Sequence, residues 1–286
     1  MTAHAHSQPV MENESLKLEA AELRREIVEA LYECGGGHYG GSLSVLDIIL
    51  TLYRRTLRMF PDNPQNPSRD RFILSKGHSC IALYAVLRRL GFFTHPLASY
   101  GSFNSPLEGH PDMTVLAGID FSTGSLGQGL SVGLGMALSL SDTDQHTWVV
   151  IGDGECQEGQ VWEAAMLAAR YEVAGLHAVI DVNRYQEWGW DQDPEADTSP
   201  VKDLALKWEA FGWRVYEVDG HDHEELAATF EKAMSTQGQP SVVLARTVKG
   251  KGYKFIESDP IRFHCATVEA HEHAHLLKST YDIAAC

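Results

Sequence analysis

Two short polar segments that each follow an apolar stretch most strongly constrain the fold of this chain. The segment Gly-Asp-Gly at 152–154 follows the apolar run TWVVI at 147–151, and Asn183 follows the run LHAVIDV at 176–182. A helical pattern separates them, so this region is predicted to form a strand-helix-strand unit with parallel strands. Ligands of such sheets bind outside the carboxyl ends of the strands. Both polar segments are therefore predicted to lie at one ligand-binding edge.

The remainder of the chain also alternates strands and helices. Further strands are predicted at 72–74, 213–218 and 241–247, and helices at 16–33, 44–57, 81–90, 127–140 and 159–171. This order indicates an α/β fold, a doubly wound parallel sheet with helices on both faces. Residues 1–15 are predicted to be a flexible polar arm and residues 16–286 to form one domain. The Gly-, Pro- and His-rich stretch at 91–118 is expected to be a functional loop, as loops of this length usually are.

Composition excludes several classes of function. The chain has 286 residues and a net charge of -16, and it contains no basic stripe of the kind that nucleic-acid binding needs. An acidic surface and the lack of an apolar run of about 20 residues argue against a membrane protein. The five cysteines are scattered, odd in number and without CxxC spacing, which favours a reduced, cytoplasmic protein.

The residue types of the two polar segments suit a magnesium ion that carries a diphosphate. Magnesium prefers near-octahedral coordination by hard oxygen ligands, and manganese or calcium can replace it at such a site. The Asp153 carboxylate, the Asn183 amide oxygen and the Tyr185 carbonyl offer three such oxygens. Gly154 lets the backbone approach a phosphate without a side-chain clash. Gly-Asp-Gly alone is also an ordinary tight turn, so the interpretation depends on the interval to Asn183.

Three histidines lie in glycine-rich surroundings. They are His38 in GGGHYGGS, His78 in LSKGHSC and His110 in EGHPD. A lone histidine is more often a surface or core residue than a catalyst, but a glycine-rich loop does not serve a hydrophobic core. Histidine titrates near neutral pH and can donate from either nitrogen. These three are therefore candidates for binding sugar hydroxyls or phosphate and for proton transfer.

Four further histidines lie close together near the C-terminus. His271 and His275 are spaced to share a helix face, which is interpreted as a solvated face rather than as a transition-metal site. His264 differs from them because it follows the apolar stretch and the Gly-Lys-Gly loop at 250–252.

The ordered set of motifs resembles transketolase. The matching segments, which together span about residues 20 to 265, are GGGHYGGSLSVLDII, DRFILSKGH, EGHPD, STGSLGQGLSVGLGMAL, GDGECQEGQVWEAA, DVNRYQ, GWRVYEVDGHD and TVKGKG. The resemblance implies the thiamine-diphosphate-binding fold, thiamine diphosphate as cofactor, and Mg²⁺ or another divalent cation. It covers only the diphosphate-binding domain of a transketolase. The chain is accordingly expected to be the N-terminal subunit of a split enzyme.

The resemblance also implies a role for individual residues. Metal binding is implied for Asp153, Asn183 and the Tyr185 carbonyl, and catalysis for His38, His78, His110 and Glu158. Cofactor contacts are implied for His78, Gly124, Leu126, Gly127, Gly154, Glu155, Asn183 and His264. Glu158 and Glu163 are expected at the subunit interface, in a carboxylate network that reaches a catalytic glutamate of the partner. Tyr39 is larger than the residue that the family often has there, and it is expected to narrow the donor channel.

The implied activity is transfer of a two-carbon ketol unit from a ketose or ketose phosphate to an aldose. Half of the active site must then come from a C-terminal subunit with a pyrimidine-binding domain, and an α2β2 heterotetramer is expected by family analogy. Other possibilities remain open from the sequence. They are an acyloin-forming enzyme of specialised metabolism, the α subunit of a 2-oxoacid dehydrogenase, half of a deoxyxylulose-phosphate synthase-like enzyme, and a non-catalytic sensor of thiamine diphosphate.

Overall fold

A computed structural model describes residues 12–187 and 202–279 of the chain. Its centre is one sheet of five parallel strands, in the order β1-β2-β3-β5-β4. The strands are β1 (Arg71–Leu74), β2 (Thr147–Gly152), β3 (Leu176–Val182), β4 (Arg214–Asp219) and β5 (Ser241–Arg246). The predicted parallel sheet is confirmed, and each predicted strand agrees with the structure to within one residue at either end.

Nine helices accompany this sheet in the described residues. They are α1 (Asn13–Glu33), α2 (Tyr39–Thr51), α3 (Cys80–Arg89), α4 (Gln128–Ser139), α5 (Gly159–Arg170), α6 (Leu204–Ala210), α7 (His223–Met234), α8 (Lys254–Glu257) and α9 (Ala270–Ser279). A π-helical turn, Leu52–Thr56, continues α2. None of the described helices combines the length and the apolar composition that crossing a membrane would require.

The two faces of the sheet support two separate apolar cores. Alternate strand residues such as Trp148, Val150 and Val179 pack with helices α1, α2, α3 and α7. Their neighbours Val149 and Ile180 belong instead to a core shared with α4, α5 and α6. Because successive residues of a strand point to opposite faces, both faces are covered by helices. This arrangement confirms the predicted doubly wound architecture.

The helix after the first glycine cluster begins earlier than predicted. The sequence pattern placed its start at residue 44, whereas α2 begins at Tyr39 and includes Gly40 and Gly41. A Cβ atom at Gly40 would lie 2.8 Å from Cγ of Lys249, and one at Gly41 would lie 3.0 Å from Oγ of Ser79. The low helix propensity of glycine is therefore offset here by close packing that only glycine permits.

Other helices also differ from the sequence-based expectations. Helix α1 begins at Asn13, so residues 13–15 of the predicted arm are helical, while residues 1–11 lie outside the described residues. Helices α6, α7 and α8 were not predicted. The start of α7 did carry a local signal, because the Asp222 carboxylate accepts hydrogen bonds from the N–H groups of Glu224 and Glu225 as an N-cap.

Candidate functional site

The two polar segments meet at the carboxyl edge of the sheet. Asp153 follows the last residue of β2, and Asn183 follows the last residue of β3, which pairs with β2. The backbone N–H of Arg184 donates to Oδ2 of Asp153 at 2.6 Å, and that of Tyr185 donates to Oδ1 of Asn183 at 3.1 Å. The predicted proximity of the two segments is therefore present in the structure.

A buried carboxylate lies beneath them and orients the Asn183 amide. Asp181 is fully buried and accepts hydrogen bonds from Nζ of Lys76 at 2.5 Å and from Oγ of Ser44 at 2.7 Å. Nδ2 of Asn183 lies 3.3 Å from the same carboxylate oxygen. Because its nitrogen is engaged by Asp181, the amide of Asn183 presents its oxygen on the other side, toward the backbone of Tyr185.

The two neighbouring aspartates, Asp181 and Asp153, differ in whether a positively charged side chain pairs with them. Burial by itself raises the pKa of Asp181, but the Lys76 ammonium and hydrogen bonds from Lys76, Thr247 and Ser44 together outweigh burial and hold that pKa below its usual value. Asp153 forms no ion pair with any lysine or arginine of residues 12–187 and 202–279. Burial and the Asp181 charge raise the pKa of Asp153 to about 6. A divalent cation beside Asp153 would offset both effects, so this carboxylate fits a metal ligand.

The other predicted metal ligands supply neutral oxygens only. The Tyr185 carbonyl accepts a hydrogen bond of 3.2 Å from Nζ of Lys249. No group of three or more His, Cys, Asp or Glu residues in the described part of the chain is placed to hold a metal ion. One carboxylate, one amide oxygen and one carbonyl leave coordination positions for phosphate oxygens, which is how Mg²⁺ is commonly held with diphosphates.

Lys249 is a site residue that the sequence reasoning missed. Its side chain is buried, and its Nζ lies 3.0 Å from Nδ1 of His264 and 3.4 Å from the carbonyl oxygen of Gln186. Burial and the nearby charge of Lys76 lower the pKa of Lys249 to about 8. The motif TVKGKG contains Lys249, but nothing local distinguishes it from the exposed lysines of other loops.

Three histidines from distant parts of the chain form a cluster next to this lysine. The ring centroids of His38 and His78 are 5.1 Å apart, and those of His38 and His264 are 5.6 Å apart. Burial, together with nearby positive groups, lowers the pKa of His38 to about 4 and that of His264 to about 3. Burial likewise holds the pKa of His78 well below its usual value. All three imidazoles are thus neutral near pH 7 and able both to donate and to accept hydrogen bonds.

His110 approaches the cluster from the long loop. It is exposed, and its charge is among the influences that lower the pKa of His38. A Cβ atom at Gly124 would lie 3.1 Å from Cδ2 of His110, so the lack of a side chain there lets the imidazole pack against the loop. The sequence predicted this residue, and the structure brings it beside the glycine loop that precedes α4.

The loop from Gly124 to Gly127 is fixed by contacts to the turn after β2. Gly127 has a φ of +83°, and a Cβ atom there would lie 2.8 Å from Cβ of Glu158. The Leu126 carbonyl accepts a hydrogen bond of 2.9 Å from Nε2 of Gln160. These contacts bring the predicted residues Gly124, Leu126 and Gly127 to the same edge of the sheet as Asp153.

Glu155 links the turn after β2 to the loop before α4. Its carboxylate is buried and accepts hydrogen bonds from the backbone N–H groups of Gly127 and Gly152 and from the Ser75 hydroxyl. With both oxygens engaged by the protein, the side chain holds the loop in place. The cofactor contact expected for Glu155 stays a prediction.

The remaining predicted residues occupy the rim of the site. A Cβ atom at Gly154 would lie 2.8 Å from Cγ of Gln186, so glycine allows the turn to approach the segment after Asn183. Glu158, at the start of α5, and Glu163 within it are both exposed. An exposed position is what the predicted subunit contact requires, and that contact stays a prediction.

The expectation for Tyr39 was wrong. Its side chain is fully buried in the apolar core, with its ring edge-on to that of Phe263 at a centroid distance of 6.2 Å. Because Tyr39 is the first residue of α2, the helix turns its ring away from the site. It therefore cannot narrow a channel that leads to His38.

The C-terminal histidines lie on a helix, as their spacing indicated. His271 and His275 are exposed residues of α9, whereas His273 stacks on Tyr32 with ring centroids 3.7 Å apart. No metal-binding group involves them within the described residues. His264, by contrast, belongs to the histidine cluster through its contact with Lys249.

Comparisons with known proteins agree with this geometry. The family described as "Transketolase, thiamine diphosphate binding domain" matches residues 17–283. The 6-deoxy-6-sulfo-D-fructose transketolase subunit of Clostridium sp. (strain MSTE9) is 42% identical over 247 residues, covering 85% of this chain and 88% of that protein. An apulose-4-phosphate transketolase subunit of Phocaeicola vulgatus is 38% identical over 268 residues, covering 92% of this chain and 94% of that protein.

Solved structures give the same result for the fold. The transketolase of Campylobacter jejuni superposes with a TM-score of 0.84 at 27% sequence identity, covering 96% of this chain and 43% of that one. A transketolase of Pichia stipitis superposes with a TM-score of 0.82 at 27% sequence identity, covering 93% of this chain and 40% of that one. The chain therefore spans about two fifths of the length of these transketolases.

Proposed function

The chain belongs to the transketolase family as an N-terminal transketolase-like subunit, and we propose that it transfers two-carbon ketol units from a ketose to an aldose acceptor. It does so as the thiamine-diphosphate-binding half of a two-subunit enzyme. The observation that carries the proposal is the convergence of Asp153, Asn183, Lys249 and the histidine cluster at one edge of the sheet.

The cofactor would be held by residues that the structure brings together. Asp153, Asn183 and the Tyr185 carbonyl would hold a divalent cation, magnesium in the first instance, and would leave its other coordination positions to diphosphate oxygens. Lys249, His78, His264 and the Gly154 backbone contact the diphosphate oxygens. The loop at 124–127 supports the ring end of the cofactor. When bound, thiamine diphosphate supplies the electron sink for cleavage and formation of the carbon–carbon bond.

The chain's own contribution to the chemistry is to orient the substrate and to move protons. Burial lowers the pKa of His38 to about 4, so its imidazole is neutral near pH 7. A neutral imidazole has a nitrogen lone pair that is available to accept a proton from a substrate hydroxyl. His110 is exposed beside the Gly124 loop, and we propose that it contacts the substrate. The ring centroid of His78 lies 5.1 Å from that of His38 and 5.5 Å from that of His264, and we propose that His78 holds the sugar or the diphosphate by hydrogen bonds.

The names of two relatives support a ketose that carries an anionic group. One of these relatives is named for a sulfonated deoxyfructose and the other for apulose 4-phosphate. His38 and His110 are suited to the ketose end of the substrate, while the chain as a whole is acidic, with a net charge of -16. The basic groups that bind the distal anion are therefore assigned to the partner subunit.

The proposed partner is a C-terminal subunit with a pyrimidine-binding domain, and the proposed assembly is an α2β2 heterotetramer. Both relatives named as subunits match almost their full length to this chain. Helix α5 offers a surface for such a partner, because Met166 and Leu167 are about half exposed next to Glu163. Exposed apolar side chains beside carboxylates are typical of a face that another subunit covers.

The cellular location is also part of this proposal. The cysteines Cys34, Cys80, Cys156 and Cys265 are free thiols in the structure, and a cytoplasmic enzyme would retain them in that state.

The proposal is tested by donor specificity in the assembled enzyme. Purified complex is supplied with ketose phosphates and an aldose phosphate, and in parallel with 2-oxoacids and either a lipoyl acceptor or a simple aldehyde. Ketol transfer between sugars supports the proposal. Reaction with 2-oxoacids alone would instead identify a 2-oxoacid dehydrogenase or an acyloin-forming enzyme. Cofactor binding without turnover of any donor would indicate a sensor.

A further inference from the structure

The loop that carries Lys249 is a tight turn with its lysine at the tip. The N–H of Lys251 donates to the Val248 carbonyl at 3.1 Å, which closes the turn around Lys249 and Gly250. Gly250 has a φ of +87°, a conformation that favours glycine. The position of the Lys249 ammonium therefore depends on how firmly the two ends of this turn are held.

A buried polar cluster outside the site contacts both ends. It consists of Arg24 from α1, Asp47 from α2 and His221 from the loop between β4 and α7. Nη2 of Arg24 donates to Oδ2 of Asp47 at 2.5 Å, and Nδ1 of His221 lies 2.7 Å from the same oxygen. The side chains of Arg24 and Asp47 are each 4% exposed, so both are removed from solvent.

The hydrogen bonds of this cluster determine the tautomer of His221. The N–H of Val248 donates to Nε2 of His221 at 2.8 Å, so Nε2 carries no proton. The proton must then lie on Nδ1, where it is donated to Asp47. At the other end of the turn, Nε of Arg24 donates to the Lys251 carbonyl at 3.1 Å. One cluster thus binds the residue before Lys249 and the second residue after it.

We propose that Arg24, Asp47 and His221 are positioning residues that hold the turn at 248–251 so that the Lys249 ammonium is fixed for a diphosphate ligand. The inference rests on the proposed function of the site, and it assigns to His221 a role exerted only through Lys249. Holding a flexible lysine in its binding position before the ligand arrives reduces the ordering cost of binding. The cluster therefore raises diphosphate affinity without contacting the diphosphate.

The chain offers a matched control in His223. Its Nδ1 lies 2.7 Å from Oγ1 of Thr51, and its Nε2 lies 3.7 Å from Oδ1 of Asp47. His223 is buried and adjoins the same carboxylate, but its hydrogen bond goes to α2 and not to the turn. A variant at this position tests whether general damage to the cluster is enough to weaken binding.

The test compares His221→Ala, His221→Gln, Lys249→Ala, the double variant and His223→Asn in the chain assembled with its partner subunit. Calorimetry measures the affinity for thiamine diphosphate with Mg²⁺, and hydrogen exchange measures protection of the amides at 247–252. We expect His221→Ala to weaken binding about tenfold, the effect of one misaligned charge-assisted hydrogen bond, and to speed exchange of the turn. Glutamine, whose side-chain oxygen reaches the position of Nε2, is expected to restore both.

The double variant separates a positioning role from a structural one. If His221 acts through Lys249, the double variant binds no more weakly than Lys249→Ala alone, because the second change removes an effect already lost. The inference would be overturned if the losses of affinity in His221→Ala and Lys249→Ala added up in the double variant. It would also be overturned if His223→Asn lost as much affinity as His221→Ala, or if His221→Ala bound as tightly as the unaltered protein. None of these outcomes would contradict the proposed function. Failure of the unaltered complex with the partner subunit to bind thiamine diphosphate with Mg²⁺ would contradict the proposed function itself.

Discussion

The backbone N–H of Gly127 donates a hydrogen bond of 2.7 Å to Oε1 of Glu155, which joins the loop before α4 to the turn after β2. The other carboxylate oxygen accepts from the N–H of Gly152 at 3.0 Å. Two backbone segments that border the candidate cofactor site are therefore held by one buried side chain. This makes Glu155 a structural residue of the site, although it lies next to the predicted diphosphate contact, Gly154.

Replacing Glu155 by alanine is expected to destabilise the fold. The change leaves two backbone N–H groups without their acceptor, and such buried groups cost about 1–3 kcal/mol each. We expect the free energy of unfolding, measured by urea titration, to fall by about 2–5 kcal/mol. Glu231→Ala, an exposed change on α7, serves as control and should alter it by about 0.5 kcal/mol or less. Equal effects of the two variants would contradict the assigned role.

Asp153 is expected to make cofactor binding dependent on a divalent metal. Because Asp153→Asn removes the one carboxylate of the proposed ligand set, the affinity for thiamine diphosphate in the presence of Mg²⁺ should fall about tenfold or more. Calorimetric titrations with and without a chelator measure this. Chelation should weaken binding to the unaltered chain and to Asp142→Asn, an exposed control, but not weaken it further in Asp153→Asn. A chelator effect that persists in Asp153→Asn would place the metal elsewhere.

Glu158 is expected to matter for turnover and not for cofactor affinity. It is exposed at the start of α5 but adjoins the Gly127 loop. Glu158→Ala should therefore leave the unfolding free energy and the thiamine diphosphate affinity of the isolated chain nearly unchanged. Ketol transfer by the assembled enzyme should fall about a hundredfold or more, as for loss of a proton-transfer group. The opposite pattern, weakened cofactor binding with full activity, would refute the predicted interface role.

The ion pair of Asp47 should stabilise the fold over a wide pH range. Burial alone would raise the pKa of Asp47, but the Arg24 guanidinium and the His221 hydrogen bond hold it well below its usual range. A carboxyl group with a folded pKa below the unfolded one contributes stability above the unfolded pKa, and this stability disappears as the pH falls through the folded value.

Asp47→Asn leaves Arg24 buried without its charge partner, which should cost about 3–5 kcal/mol at pH 7. Urea titrations should show the same loss at pH 5, with the difference narrowing only below about pH 4. Glu14→Gln, which breaks an exposed pair with Lys17, should cost about 1 kcal/mol or less at every pH. A difference that vanishes between pH 7 and pH 5 would show that the ion pair contributes little.

The elements that the sequence predicted are those with local signals. The apolar runs of β2 and β3 end in polar residues, and this pattern alone located Asp153 and Asn183 at the binding edge. The order of the strands has no such local signal. β5 follows β4 in the chain, yet it lies between β3 and β4 in the sheet. The contacts of Lys249 with Tyr185 and His264 depend on that order.

Contacts between distant residues account for the features that were missed. Asp47 and His221 are 174 positions apart, and neither has a neighbour that distinguishes it from a surface residue. The early start of α2 depends on Lys249 and Ser79 packing against glycines, an interaction that helix propensity does not include. The wrong expectation for Tyr39 has the same origin, since the direction of its side chain follows from where the helix begins.

The proposed function requires that this chain provide only half of an active site. The direct measurement is ketol transfer between sugar phosphates, with thiamine diphosphate and Mg²⁺, by the chain alone and by the complex purified with it from the native host. We expect no turnover by the chain alone, and turnover by a complex that contains a roughly equimolar subunit with a pyrimidine-binding domain. Measured ketol transfer by the rigorously purified chain alone would contradict the requirement for a partner.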